Sequence, residues 1–184
     1  MTEARRSLRL LLLLAAALLG GCEQLSRLRP HLTASLRTDS AEIGVHLAGN
    51  SYYAQIGFVF VNTTPNVVSM AGCGGPPMPE VQKLVDGHWV AAYDGFYPAC
   101  RSIPDFTVPS GGTFRGVVHF SAAIPGHRLG PELLVDSIDG TYRLAWPWTE
   151  GTEAFARNAR RVEAISNQFR MTLLESKTSP PQIE

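Results

Sequence analysis

Among the 184 residues, three cysteines, five histidines and four methionines carry the side chains best able to ligate metals or act as nucleophiles. Met70, Cys73, Met78 and His88 lie close together in sequence. A thiolate, two thioethers and an imidazole would suit a soft ion such as Cu(I), with Zn(II) as the harder choice. Their spacing matches no recognised ligand pattern, and Met and Cys also serve as ordinary gap-fillers. Cys73 beside a histidine would make a thiol dyad. Cys73 and Cys100, in AGCGGPP and YPACRS, are equally able to join as a disulfide. His31, His46 and His127 fall near turns or strand starts, and His119 alternates with the apolar face of its strand. G-x-S-x-G, H-E-x-x-H, the P-loop and a G-x-G-x-x-G after a strand are all missing. Asp94, Asp105, Asp136 and Asp139 fall at turns, where Asp usually serves as a local backbone acceptor. The chain therefore reads as non-catalytic and without a cofactor.

The aromatic residues suggest binding instead. Trp89, Tyr93, Phe96 and Tyr97 cluster before Cys100, and Trp146-Pro147-Trp148 ends a strand-like run. Trp89, next to a tight hairpin, reads most simply as the plug of a core, since large aromatics dominate burial. The cluster as a whole exceeds what a core needs and reads as a contact surface for a partner.

Strands must position these residues. Tyr53–Val61 places Ile56, Phe58 and Phe60 on one face and Val59 and Val61 on the other, as in the middle of a sheet. Val81–Val85, Asp86-Gly87 and His88–Val90 form a hairpin, because Asp-Gly tolerates the positive φ that a two-residue turn needs. Thr113–Ser121 follows the turn Pro109–Gly112 and alternates Phe114, Gly116, Val118 and Phe120. Asp139-Gly140 opens a strand over Thr141–Trp148, and Gln168–Leu173 alternates Phe169, Met171 and Leu173. Only Glu153–Ile165 reads as helical. Short strands between Gly and Pro turns predict an all-β sandwich.

The first residues are an address. MTEARRSLRLLLLLAAALLGGC has a basic start and an apolar run, Leu10–Leu19, that is too short to span a bilayer. Residues 1–21 hold three of the 16 basic and one of the 16 acidic side chains, so removing them takes the net charge from 0 to −2. That leaves no basic field for nucleic acid. Leu19-Gly20-Gly21-Cys22 resembles the lipobox of bacterial lipoproteins. The resemblance implies a signal peptide over 1–21, cleavage before an acylated Cys22, and an anchor of several acyl chains. Glu23, rather than Asp, at the next position favours the outer membrane, on the periplasmic side. In an exported protein Cys73 and Cys100 are expected to be oxidised to a disulfide. Its loop of about 27 residues would contribute about 3 to 4 kcal/mol.

Asp139-Gly140-Thr141-Tyr142-Arg143-Leu144 resembles the tyrosine corner of immunoglobulin-like domains, with Leu144 where antibody domains carry a core cysteine. The strands from FVFVN through DGHWV to GTYRL look like the immunoglobulin-like domains of small bacterial lipoproteins. The organisation expected is a lipidated cysteine and tether over 22–38, an immunoglobulin-like antiparallel β-sandwich over 39–176, and a disordered tail over 177–184. The function expected is a lipid-anchored binding or assembly module that contacts another envelope protein through disulfide-held loops. The alternatives are a periplasmic Cu/Zn-handling lipoprotein using Met70, Cys73, Met78 and His88, and a protease-inhibitor-like module.

Overall fold

The computed structural model describes residues 34–70, 78–93, 105–127, 131–152 and 160–174. All belong to one unit, Thr33–Glu184. Cys22, Cys73, Phe96, Tyr97, Cys100, the segment 1–21 and the tail 177–184 lie outside the described residues.

The described chain is all-β. Its strands are β1 (Ser35–Thr38), β2 (Glu42–Ala48), β3 (Ser51–Val61), β4 (Val68–Met70), β5 (Glu80–Val85), β6 (His88–Ala91), β7 (Phe106–Val108), β8 (Thr113–Ala123), β9 (Gly140–Glu150), β10 (Arg161–Ile165) and β11 (Phe169–Leu173). No helix among the described residues is long and apolar enough to cross a membrane. β3 pairs along its full length with β8, and along its other edge with β2 and β1. β9 is the second hub, flanked by β11 and β10 on one edge and by β5 and β4 on the other. β2 links the hubs, with Glu42–Val45 on β11 and His46–Ala48 on β3.

Three expectations are corrected. Arg161–Ile165 is a strand and not the end of a helix, because a ladder along β9 satisfies its backbone and seats Ala164 in the core. The rest of that run, residues 153–159, lies outside the described residues. The domain starts before residue 39, since Ala34 is buried and Ser35–Thr38 pairs with β3. The sheet is mixed and not purely antiparallel, because β2 and β11 run parallel. Nearly the whole domain connects those two strands, so no tight turn dictates their relative direction.

The sheet curls until the face of β3 and β8 meets that of β9. Trp146 fills the meeting point, its ring centroid 5.2 Å from Phe58, 5.3 Å from Phe60 and 5.9 Å from Phe114. The Phe58 and Phe60 contacts are edge-on, the arrangement aromatic quadrupoles favour. Trp148 meets Phe60 at 5.8 Å, so both tryptophans of the Trp-Pro-Trp run are core.

Pro147 between them sits in the middle of a central strand, where a missing N–H normally breaks a ladder. The even residues of β9 turn their backbone toward β10, as Glu150 does in donating to Arg160 O (3.0 Å). The odd residues turn the other way, as Gly151 does in donating to Val67 O (2.8 Å). On that second edge β5 pairs up to Ala145 and β4 begins at Thr149. Pro147 falls in the break between them, where no ladder donor is needed.

Two turns form as their sequences require. Asp86 (φ 50°) and Gly87 (φ 81°) close the β5–β6 hairpin in left-handed geometry. Gly111 (φ 72°) closes the turn before β8, where Gly112 N–H donates to Pro109 O at 2.8 Å.

Candidate functional site

The β5–β6 hairpin lies against β9 in a register that places Gln82 beside Arg143, with Leu84 opposite Trp89. Directly paired residues share a face. Val81 and Lys83 therefore take the buried face with Leu144 and Tyr142, while Gln82, Leu84, Trp89 and Arg143 share the other. Trp89 is consequently not the core plug. Alternation along β6 turns it outward and leaves it half-buried, and Trp146 takes the central place.

The outward Trp89 is held in position. The Arg143 guanidinium carbon lies 4.4 Å over the Trp89 ring centroid. Arg143 Nε donates to Gln82 Oε1 at 2.8 Å, and Gln82 Nε2 donates to Glu80 Oε2 at 3.4 Å. The Glu80 carboxylate thus turns the Gln82 amide so that its oxygen faces the guanidinium. The guanidinium, with donors to spare, covers an aromatic face. The result is a preordered Trp–Arg plate on the outer surface of β5, β6 and β9.

Tyr93 is placed differently. It bridges Leu133, and its ring meets Phe120 edge-on at 4.7 Å, so it packs as a half-buried wedge beside β8. The partners that sequence grouped with it, Phe96 and Tyr97, lie outside the described residues.

Within the soft-metal set, the described residues place His88 apart from Met78. Met70 is buried at the end of β4, opposite Phe106. Met78 precedes β5, while His88 is opposite Val85 at the hairpin end of the same strand. The five steps from Glu80 to Val85 alone cover about 16 Å, too far for Met78 and His88 to share an ion. Cys73 lies outside the described residues. Among the described residues no group of three or more His, Cys, Asp or Glu could hold a metal ion.

Two titratable groups face the core, Tyr142 of the tyrosine-corner run and Lys83, which sequence reasoning missed. Lys83 is buried, passes over the Tyr142 ring (5.8 Å to the centroid) and donates through Nζ to Ser137 O. Burial pulls its amine below the usual lysine range, partly offset by Asp139 and Asp136. Burial, reinforced by Asp139, pushes the Tyr142 phenol well above its ordinary value. Only the inward phase of β5 could have flagged Lys83, since Val81 and Val85 flank it in period two.

Comparison with known proteins finds no matching family model and no matching curated relative.

Proposed function

We propose that this chain is a lipid-anchored, non-catalytic binding module of the bacterial envelope. In this reading an immunoglobulin-like β-sandwich, held at the periplasmic side of the outer membrane through acylated Cys22, contacts another envelope protein. The Trp–Arg plate carries the reading. Trp and Arg are the residues most enriched at interface hot spots, and a Trp that the core does not need is kept ordered at the surface by Arg143, Gln82 and Glu80. The immunoglobulin-like assignment is supported by the curled double layer around Trp146 and by the hydrogen bond from Tyr142 to the backbone upstream.

A photo-crosslinking amino acid at position 89, in cells expressing the full chain, should give one discrete protein adduct. Arg143→Ala should weaken the isolated complex about thirtyfold, in line with about 2 kcal/mol for a hot-spot residue. Absence of an adduct at 89, with adducts arising only from other faces, would overturn the reading. The anchor is tested separately. Wild-type protein should incorporate a labelled fatty acid, and Cys22→Ser should not.

A further inference from the structure

On β2, β3 and β8 lies a cleft of about 750 Å³, lined among others by Glu42, His46, Tyr53, Gln55, His119 and Ser121. It forms because the β2–β3 ladder stops early. The two strands pair from Ala48↔Ser51 to His46↔Tyr53, and the same register would next join Gly44 to Gln55. Gly44 is instead drawn off to Thr172 of β11. Leu174 lies against the α-carbon there, so close that a Cβ on Gly44 would meet its Cδ1 at 2.7 Å.

The backbone left behind faces the opening. Odd residues of β3 direct N–H and C=O toward β2 and β1, as Gly57 does in accepting from Asp39 N–H at 3.0 Å. Odd residues of β2 face β11, as Val45 does in accepting from Leu174 N–H at 2.8 Å, so even residues face β3. Gln55 and Gly44 therefore turn main-chain donors and acceptors toward one another across the cleft, and no ladder between β2 and β3 reaches them. Paired main-chain groups of this kind suit an amide, which offers a donor and an acceptor in one plane.

The rest of the lining narrows the ligand. The gap between the β2 and β3 backbones is bounded on one side by the His46↔Tyr53 pair and on the other by the Asp39–Gly57 bond. Between Tyr53 and Gly57 the strand covers about 13 Å, so an added β-strand has no room to run between the β2 and β3 backbones. Tyr53 is 45 % exposed, and its cross-strand neighbours on this face are His46 and Ser121. Gln55 faces His119. An aromatic platform ringed by an amide, two imidazoles, a hydroxyl and one carboxylate matches a ring with an apolar face and hydroxyls at its rim. We infer that this cleft binds an N-acetylated amino sugar, with its acetamido group between Gly44 and Gln55 and its ring on Tyr53.

The test is amide-resolved NMR of the full chain in detergent, titrated with tri-N-acetylchitotriose, with cellotriose and trialanine as comparators. Saturable shifts centred on the Gly44 and Gln55 amides, below about 10 mM chitotriose, are expected. Tyr53→Ala should weaken binding about tenfold. Gln55→Ala, a surface change that keeps the backbone donor, should weaken it less. Equal binding of cellotriose would overturn the acetamido assignment. Stronger shifts with trialanine would replace the sugar by a peptide end, and no saturable shift at Gly44 and Gln55 would overturn the site.

Discussion

The Tyr142 hydroxyl donates to the backbone carbonyl of Ile138, four residues upstream, at 2.7 Å and out of contact with water. The bond ties the loop before β9 to the strand that carries Trp146. Tyr142→Phe keeps the ring, which stacks on Phe169 at 6.0 Å, and leaves the Ile138 carbonyl without this buried donor. A cost of about 1 to 3 kcal/mol is expected from urea unfolding. No measurable loss would mean that the bond contributes nothing beyond packing.

Trp146 and Trp89 should differ sharply. Trp146→Ala opens a void against Phe58, Phe60 and Phe114 and should cost about 3 to 5 kcal/mol. Trp146→Phe should cost less, because the buried indole N–H has no hydrogen-bond partner to lose. Trp89→Ala removes a half-exposed ring under one guanidinium and should cost about 1 kcal/mol or less. The reverse ranking in denaturation midpoints would move the core to the hairpin.

That pair also marks what the sequence could disclose. Local chemistry was legible. The Asp86-Gly87 hairpin and the alternation of Phe58 and Phe60 follow from neighbours in sequence, the bond from Tyr142 to its upstream backbone is what the tyrosine-corner resemblance implies, and each stands as expected. Which tryptophan fills the core was not legible, since that depends on β9 being flanked on both edges while β6, among the described residues, pairs only with β5. The parallel β2–β11 pairing escaped for the same reason, because no local turn encodes it. Arg161–Ile165 was expected to be helical, but pairing with β9 outweighs its helix-forming residues. The cleft arises from a ladder that stops, which no single strand's pattern displays.

Asn62 is wholly buried and satisfied on every side. Its Nδ2 donates to Asn66 O (2.8 Å) and Val108 O (2.9 Å), while Oδ1 accepts from Thr64 N–H (3.0 Å) and Thr64 Oγ1 (2.7 Å). Its backbone also bonds Gly111 and Gly112, so one residue joins the end of β3 to β7 and to the turn before β8. Asn62→Ala should cost about 3 kcal/mol by stranding several buried groups at once. Amides of Thr64 and Gly111 should exchange faster in the variant. Unchanged exchange at both would show that the loop holds itself without this side chain.

Lys83 should shape the alkaline stability of the domain. Its native amine is held below its ordinary value of 10.5, chiefly by burial, against the opposing pull of Asp139 and Asp136. Below the native pKa both states keep the proton, and the cost of burying the charge is fully present. As pH rises from there to 10.5, the native amine loses its proton more readily than the unfolded one, and stability recovers. Tyr142 acts in the opposite sense. Its stabilisation is complete below its ordinary value of 10.0 and fades above it, because the unfolded phenol ionises while the native one resists. Lys83→Met keeps Tyr142, so subtracting the two urea-unfolding curves, measured from neutral pH to about 11, isolates the amine. Wild type should gain on the variant as pH climbs toward 10.5. Parallel curves would mean that solvent reaches the Lys83 ammonium in the native state and that its burial carries no charge penalty.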